Sequence, residues 1–313
     1  MPEIEIFHES YYDWKCIRMQ LGEISLGLTP DIGGRIMSLR QMGKELLFVQ
    51  EEHRGETFDF KEVGDLKAEK YKLGFRLWGG DKTWVAPEKK WWGKIPPLDL
   101  DALPYQVEIF GSRVKMTSPI CRETGVRLIR TVELKEGGVI ILEQTIVNES
   151  SKKVERGIWD VTQCIRPTEV YLPSSPDKIW PYPDAGKIQE AIKKISPYKN
   201  WMKIQCNDFT AFKFGAVLTK GVVVAIRRLK DDDQAISFTR FFEIDQETAY
   251  AHKVMAEVYN SKDYPYLEVE VHAPMKSLNK GEEFSHRQTW KIARHNIHIT
   301  PDEVLDFHSV KNS

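Results

Sequence analysis

The feature that most constrains this chain is a series of short segments in which apolar and polar residues alternate, each followed by a turn signal. An alternation with a period of two is typical of a β-strand with one buried face. The turns fall at Gly111-Ser112, Gly137-Gly138 and Asn148-Glu149-Ser150-Ser151. The segments around them are Tyr105 to Ile109, Val114 to Met116, Val126 to Leu134, Val139 to Val147 and Val154 to Gln163. Short strands joined in this way predict an antiparallel sandwich rather than alternating strands and helices.

The same pattern continues on both sides of this region. Residues 17–21 and 24–28 predict a hairpin, and further strands are predicted at 32–39 and 45–49. The second half adds predicted strands at 209–218, 222–228, 236–244, 266–274 and 284–292. A paired glycine in the strand at 32–39 indicates a bulge or a close approach of another backbone segment. Predicted strands thus occur along the chain from residue 17 to residue 292.

Few segments favour a helix. Residues 187–195 place Ile188, Ala191, Ile192 and Ile195 at helical spacing, which predicts one short helix in a loop. Residues 250–259 are compatible with either a helix or a strand, and 51–73 predict a long surface loop with room for one helical turn. No repeat and no linker divides the sequence. We therefore expect an all-β protein with a few short helices in loops, folded as one domain over residues 1–313.

Composition excludes several classes of partner. The 313 residues carry a net charge of -1, so no overall field attracts nucleic acid or an anionic membrane. No apolar run approaches the length of a transmembrane helix. The start, Met1-Pro2-Glu3-Ile4-Glu5, lacks the basic and apolar regions of a signal peptide. We expect a cytoplasmic protein that binds neither nucleic acid nor membranes.

The sequence also lacks the usual signatures of metal and cofactor enzymes. The four cysteines, Cys16, Cys121, Cys164 and Cys206, are far apart, which favours buried thiols over zinc ligands. There is no phosphate-binding loop, no Gly-x-Gly-x-x-Gly, no His-Glu-x-x-His and no Gly-x-Ser-x-Gly. Hydride transfer, phosphoryl transfer and zinc-dependent hydrolysis are therefore unsupported, and we expect neither a metal nor a cofactor.

One stretch, Gly74 to Gly93, combines aromatic and charged residues. It contains four of the nine tryptophans, among them Trp78 and Trp84, together with Asp81 and Lys82 after a glycine pair. Flat aromatic faces beside polar groups suit a sugar ring, which has apolar patches and many hydroxyls. The alternative for Asp81 and Lys82 is a surface ion pair in a turn, which would contribute little. The tryptophans favour a binding site, because displaying them to water without a partner is costly.

A second group of candidates lies near the C-terminus. Glu268, Glu270 and His272 share one face of a predicted strand, because they are two residues apart. Two carboxylates so placed raise the pKa of one of them, which suits a general acid or base. The alternative is the wet face of an edge strand, where charged residues are common.

Three further residues are candidates for holding a sugar. Arg35 follows the glycine pair and can bind a carboxylate or ring hydroxyls, or else form an internal salt bridge. Trp159 and Asp160 are adjacent on a predicted strand, so only one of them can line a given groove. Trp159 taken alone is also compatible with a core position.

The chain resembles the galactose mutarotase-like superfamily in three places. Residues 29–36 read Thr-Pro-Asp-Ile-Gly-Gly-Arg-Ile, similar to the N-terminal strands of aldose 1-epimerases. Residues 78–87, from Trp-Gly-Gly-Asp to Pro, resemble a glycine-rich segment that carries sugar-binding residues in that superfamily. Residues 267–274, followed by Gly281-Glu282 and Trp290, resemble its C-terminal strand with a catalytic Glu. In this order the three places span nearly the whole chain and indicate a divergent branch.

The resemblance implies a galactose mutarotase-like antiparallel β-supersandwich with a sugar site on its concave sheet. It also implies an aldose 1-epimerase type of reaction, in which a Glu takes the proton of the anomeric hydroxyl and a His protonates the ring oxygen. Glu270 matches the base by its spacing to the following proline, with Glu268 as the neighbouring choice. Two family histidines are replaced, one of them by Asp81, so that Asp81, Lys82 or Asp160 would supply the acid.

Three functions follow as expectations. The first is an aldose 1-epimerase-like enzyme acting on a sugar or oligosaccharide, with the catalytic residues Glu270, Glu268, Asp81 and Lys82. The second is a carbohydrate-binding protein without turnover, and the third is a lyase or hydrolase on the same scaffold. In each case the residues expected to hold the sugar are Arg35, Trp78, Trp84, Trp159, Asp160 and His272.

Overall fold

In the computed structural model, which describes residues 3–59 and 63–310, strands account for most of the regular structure. In chain order the strands are β1 (Glu5–Tyr11), β2 (Trp14–Leu21), β3 (Ile24–Thr29), β4 (Arg35–Gln41), β5 (Lys44–Glu45), β6 (Asp81–Ala86), β7 (Gln106–Phe110), β8 (Arg113–Thr117), β9 (Val126–Lys135), β10 (Val139–Asn148), β11 (Val154–Ile165), β12 (Thr168–Leu172), β13 (Ile179–Pro181), β14 (Ile195–Tyr198), β15 (Trp201–Cys206), β16 (Phe212–Ala216), β17 (Val222–Leu229), β18 (Gln234–Phe242), β19 (Ala256–Asn260), β20 (Tyr266–His272), β21 (Lys276–Leu278) and β22 (Glu283–Asn296). The helices are α1 (Leu66–Leu73), α2 (Leu98–Asp101), α3 (Ile188–Ala191) and α4 (Pro301–Val310), with short 3₁₀ turns between the strands.

The strands form two large antiparallel sheets. Sheet I has the order β1-β2-β3-β4-β6-β11-β20-β19-β16-β13, with β5 paired to β4 and β21 paired to β11. Sheet II has the order β14-β15-β12-β17-β18-β22-β10-β9-β8-β7. The predicted all-β antiparallel sandwich with a few short helices is therefore confirmed.

Alternation of side chains decides which face of each strand enters the core. In β9, every second residue from Val126 to Leu134 is buried, and the apolar ones among them pack in the main hydrophobic cluster between the sheets. In β20, Leu267, Val269 and Val271 join that same cluster. All seven residues of β20 are buried, because the strand lies in the middle of sheet I and its second face is also covered. The alternative of a wet edge strand for Glu268 and Glu270 is therefore wrong.

Several boundaries differ from the sequence prediction for local reasons. The strand predicted at 32–39 begins only at Arg35, because Gly33 and Gly34 have φ values of +69° and +59° and form a turn. The expected close approach is present there, since a Cβ on Gly33 would lie 2.5 Å from the carbonyl oxygen of Asp101. The helix predicted at 187–195 is limited to α3 and one 3₁₀ turn, and β14 begins at Ile195.

Other segments were left open or were not predicted. Within 250–259 the chain forms a strand only from Ala256, where β19 pairs with β20. The region 51–73 contains α1 as well as a 3₁₀ turn at Glu51–His53. The elements that were not predicted are the strands β1, β6, β12, β13, β14, β15 and β21 and the helices α2 and α4. Among the described residues, no helix has the length and apolar character needed to cross a membrane.

Candidate functional site

The face of sheet I that lies away from sheet II, which the resemblance to the superfamily identifies as the concave face, carries three rows of mostly polar and aromatic side chains. Strand pairing sets these rows, because directly paired residues on neighbouring strands point to the same face. The first row is Trp84, Trp159 and His272; the second is Lys82, Val161, Glu270 and Glu257; the third is Gln163, Glu268, Tyr259 and Lys213. Five neighbouring strands thus bring together residues that are far apart in the sequence. Lys82 and His272, for example, are separated by 190 positions.

A cleft of about 1160 Å³ opens beside these rows. Its floor is made by Trp159, Lys213, Glu257 and Tyr259, and its walls come from loops at 182–190 and 208–211 and from Glu88, His252 and Lys262. A cleft of this size accommodates a sugar or a short oligosaccharide. Of the residues singled out from the sequence, Trp159 lines this cleft.

Three tryptophans fill the middle of the concave face. The rings of Trp84 and Trp159 meet edge to face at 4.9 Å between centroids, and Trp91 stacks on Trp159 at 6.0 Å. Trp159 also stacks on His272, with 5.5 Å between ring centroids. Because this cluster covers the strands beneath it, the open cleft lies to one side of Trp159, towards β19 and β16.

Glu270 is fully buried at the end of this cluster. Its Oε2 accepts hydrogen bonds from the indole Nε1 of Trp159 at 2.7 Å and from Lys213 Nζ at 3.0 Å. Its Oε1 has no hydrogen-bond partner among residues 3–59 and 63–310. Burial raises the pKa of Glu270, Lys213 opposes this shift, and the nearby charge of Glu257 adds to it, so that the pKa is about 8. A carboxyl group with a pKa this close to neutrality can both accept and release a proton.

Lys213 connects Glu270 to the cleft. Its Nζ lies 2.9 Å from Glu257 Oε2 and 3.0 Å from Glu270 Oε2, and its side chain is one-fifth exposed. Burial lowers the pKa of Lys213, but the charges of Glu270 and Glu257 outweigh burial and raise the pKa above its usual value. The side chain is therefore an ammonium at neutral pH, placed where the cleft meets the buried carboxylates.

Glu257 is shared by two histidines. His272 Nε2 lies 3.1 Å from Glu257 Oε2, and His252 Nδ1 lies 3.2 Å from Glu257 Oε1. On its other side, His252 Nε2 lies 2.6 Å from Glu88 Oε2. Burial lowers the pKa of His252, but hydrogen bonds to Glu257 and Glu88 outweigh burial and raise the pKa to about 9. Burial likewise lowers the pKa of His272, and there the net shift remains downward.

Glu268 and Lys82 form a second pair on the concave face, farther from the cleft. Lys82 Nζ lies 3.6 Å from Glu268 Oε1, and Gln163 donates to the same oxygen at 2.7 Å. Lys82 Nζ also lies 4.9 Å from the centre of the Trp84 ring. Burial lowers the pKa of Lys82, and the charge of Glu268 only partly offsets it. Both residues are close to Glu270 in the strand rows, and neither lines the open cleft.

Asp81 and Asp160 point into the interior between the two sheets instead. Asp81 forms an ion pair with Arg130 and accepts a hydrogen bond from Thr162 at 2.7 Å. Asp160 forms an ion pair with Arg240, and all four charged side chains have 0–1% exposure. The expected roles for Asp81 and Asp160 are therefore not supported by their position, because the alternation along β6 and β11 sends them to the face opposite Lys82 and Trp159.

Arg35 and Trp78 lie beyond the aromatic cluster and are closed off by α2. Arg35 donates to Asp101 Oδ1 at 2.7 Å and to the carbonyl oxygen of Gly79 at 3.1 Å, while its guanidinium lies 5.0 Å from the centre of the Trp78 ring. Trp84 Nε1 donates to the same carboxylate of Asp101 at 2.8 Å. The alternative of an internal salt bridge for Arg35 is the arrangement that the structure contains.

Four residues at this site, Lys213, His252, Glu257 and Glu88, were not predicted from the sequence as site residues. Lys213 offered a signal, since it is a charged residue between Phe212 and Phe214 in a predicted strand. Glu257 lay in a segment for which helix and strand were equally compatible. His252 belongs to a loop before β19, and no local pattern places it against this site.

Comparisons with known proteins bear on the fold. No family model matches the chain, and no curated protein matches it. Solved structures do match. The Slr1438 protein from Synechocystis sp. PCC 6803 is 11% identical with a TM-score of 0.58, covering 92% of this chain and 96% of that protein. A galactose mutarotase-like protein from Clostridium acetobutylicum is 13% identical with a TM-score of 0.55, covering 94% and 99% of the two chains. Another from Lactobacillus casei is 11% identical with a TM-score of 0.55, covering 89% and 100%.

These matches extend over nearly the full length of both chains in each pair. The chain therefore has the galactose mutarotase-like fold, and the resemblance stated from its sequence motifs is confirmed at the level of the fold. Identities of 11–13% carry no information on activity, so the function has to be argued from the cleft itself.

Proposed function

We propose that the chain binds a carbohydrate in the cleft beside Trp159 and interconverts its anomers there, in a reaction of the aldose 1-epimerase type. The observation that carries the proposal is the contact set of Glu270, which joins the indole of Trp159 and the ammonium of Lys213 at the edge of the cleft. An indole face packs against the apolar side of a sugar ring, while the two charged groups suit its oxygens.

In the proposed reaction, Glu270 takes the proton of the anomeric hydroxyl. The bond between the anomeric carbon and the ring oxygen breaks, its electron pair stays on the ring oxygen, and Lys213 supplies a proton to that oxygen. The open-chain aldehyde rotates, and the reverse steps close the ring with either anomer. Lys213 takes the place of the acids expected from the sequence, because Asp81 and Asp160 point into the interior and Lys82 pairs with Glu268 away from the cleft.

The coupling between Glu270 and Lys213 supports this assignment. The negative charge of Glu270 is a main cause of the raised pKa of Lys213. When Glu270 takes up a proton, that charge disappears and Lys213 becomes a stronger acid at the moment when the ring oxygen needs a proton. Because Glu270 is fully buried, the partly exposed side chain of Lys213 has to move aside for the substrate to reach it.

The second candidate function is carbohydrate binding without turnover. The covering of Glu270 by Trp159 favours it, since a sugar could occupy the cleft without contacting that carboxylate. Both candidates share the same binding site, and they differ in whether a proton leaves the anomeric hydroxyl.

NMR exchange spectroscopy on common hexoses and pentoses separates the two. We expect faster exchange between anomers in the presence of the protein, and loss of this acceleration in E270Q and K213M. The matched control is E155Q, which changes an exposed glutamate at the start of β11. Exchange that is no faster with the protein than without it, across the panel, would refute the epimerase proposal. Saturation-transfer signals from a sugar in that same sample would support binding alone.

A further inference from the structure

Two imidazoles and one carboxylate converge at the boundary between sheet I and the cleft. The ligand atoms of His252, Glu257 and His272 all lie within 4.8 Å of one another. Glu257 and His272 come from adjacent strands of sheet I and are each 1% exposed, while His252 comes from the loop before β19. Residues of this kind rarely converge below the surface without a shared ligand or an internal hydrogen-bond role.

The spacing of the three residues matches the coordination of a small divalent ion. Ligands that bind zinc tetrahedrally at about 2.0–2.1 Å are separated from one another by about 3.3 Å. His272 Nε2 lies 3.1 Å from Glu257 Oε2, and His252 Nδ1 lies 3.2 and 3.3 Å from the two carboxylate oxygens. These separations also fit hydrogen bonds, so distance by itself does not decide between a proton and a metal ion.

The surroundings of His252 are those of a metal ligand. A histidine that binds a metal through one ring nitrogen usually donates the hydrogen of the other nitrogen to a carboxylate or carbonyl group, which fixes its tautomer and orientation. Glu88 Oε2 occupies that position, 2.6 Å from His252 Nε2. The lone pair of His252 Nδ1 is then directed towards Glu257.

The other two residues are held rigidly. His272 is the last residue of β20, an inner strand of sheet I, and its ring stacks on Trp159. Glu257 pairs directly with Glu270 across β19 and β20 and is also bound by Lys213. Fixed backbone positions and packed rings hold metal ligands in place better than loops do.

Charge supports an additional cation at this point. The carboxylates of Glu88, Glu257 and Glu270 face one ammonium, that of Lys213. A divalent ion bound here would displace the proton between His252 Nδ1 and Glu257 and would place a second positive charge beside these carboxylates. Lys213 stays on the side of Glu270, where it bridges both carboxylates.

We propose that His252, Glu257 and His272 form a binding site for one divalent transition-metal ion of the zinc type. Imidazole and carboxylate together suit zinc and its neighbours in the first transition row, and the set has too few oxygen atoms for calcium or magnesium. His252 and Glu257 both line the cleft, so the remaining coordination position opens towards a molecule bound there. Three protein ligands with one open position are typical of zinc sites that contact a substrate oxygen.

The test is direct metal binding. The purified chain is stripped with a chelator, and Zn²⁺ is titrated by calorimetry, with Co²⁺ as a spectroscopic probe of tetrahedral coordination. We expect one equivalent of Zn²⁺ with micromolar or tighter affinity, and visible absorption bands of tetrahedral Co²⁺. In H252Q, which changes the most exposed ligand of the three, we expect loss of both signals.

Two further variants make the result specific. E88Q retains all three ligands and removes the carboxylate behind His252, so it should weaken Zn²⁺ binding by about 10- to 100-fold. H298Q changes an exposed histidine elsewhere and should leave the affinity unchanged. Thermal unfolding of each variant without metal verifies that it is folded.

Stoichiometric Zn²⁺ binding that is lost in H252Q and weakened in E88Q supports the site. Two results would overturn it: no binding in the micromolar range by the folded chain, or binding that is equally strong in H252Q. The outcome is separate from the proposed reaction on sugars, because the titration uses the metal ion alone.

Discussion

Replacing Arg240 with methionine removes the cation at the centre of a buried network between the two sheets. Arg240 forms an ion pair with Asp160 and donates to Thr162 Oγ1 at 2.7 Å, to the carbonyl oxygen of Val269 at 2.9 Å and to Gln288 Oε1 at 2.8 Å. The network therefore connects β18, β11, β20 and β22. Methionine has a similar length and fills the space, so the perturbation acts mainly through charge and hydrogen bonding.

The expected cost follows from what the substitution leaves behind. Asp160 has 0% exposure and would retain only amide donors, from Gln288 at 3.0 Å and from Gln144. Breaking one member of a buried ion pair costs about 3–5 kcal/mol, because the remaining charge stays buried without its partner. The D160N variant likewise leaves the charge of Arg240 buried without its partner. The double variant removes both charges, so its loss of stability should be smaller than the sum of the two single losses by about 2 kcal/mol or more.

Urea unfolding of the four proteins, followed by tryptophan fluorescence and circular dichroism, gives these free energies. The matched control is R113M, which breaks an exposed pair with Glu133 and should cost less than about 1 kcal/mol. A loss in R240M no larger than in R113M would refute the reasoning, and so would strictly additive single and double losses. Carbohydrate affinity of folded D160N should equal that of the unchanged chain, since Asp160 faces away from the cleft.

Three further predictions address separate parts of the molecule. Burial lowers the pKa of His286 from 6.5 to about 4, so the unfolded chain binds the proton first and stability falls as pH drops from about 6.5 towards 4. The difference in unfolding free energy between H286F and the unchanged chain should therefore change by up to about 3 kcal/mol across that interval in urea titrations. G79A should unfold at a clearly lower urea concentration than G43A. Both glycines have positive φ, but a Cβ on Gly79 would lie 2.1 Å from a carbonyl oxygen, whereas a Cβ on Gly43 would meet nothing within 4 Å. K213M should raise the pKa of Glu270, because it removes the positive charge that stabilises the carboxylate; NMR titration of the labelled carboxyl group measures this shift, and an unchanged or lowered pKa would contradict it.

Much of the fold could be predicted from the sequence, because the alternation of apolar and polar residues in a strand is a local pattern. The alternation in β9 and β20 indicates which residues enter the core, and the turns between strands indicate antiparallel neighbours. The short strand β12 and the helix α4 carried weaker local signals. Strand order was not accessible, because β11 pairs with β6 and with β20, which are separated from it by long stretches of chain.

The candidate site was accessible only in part. Alternation correctly separates Trp159 from Asp160, but it does not say which of the two faces the cleft; that depends on how sheet I lies against sheet II. The same holds for Asp81 and Lys82 on the neighbouring strand β6, where alternation does not say which of the two side chains faces outward. His252 and Glu88 reach the site from loops, and their meeting at 2.6 Å depends on the whole sandwich rather than on any local pattern.

The tryptophan cluster on the concave face has an optical consequence. Trp84, Trp91 and Trp159 have ring centroids 4.9–6.0 Å apart, which is close enough for their electronic transitions to couple. Coupled indoles give circular dichroism that depends on the mutual orientation of the rings. Trp159 borders the cleft, so a molecule that enters it and tilts this ring changes the signal of all three. Binding of a ligand in the cleft can therefore be followed by the circular dichroism of these tryptophans, without an added label.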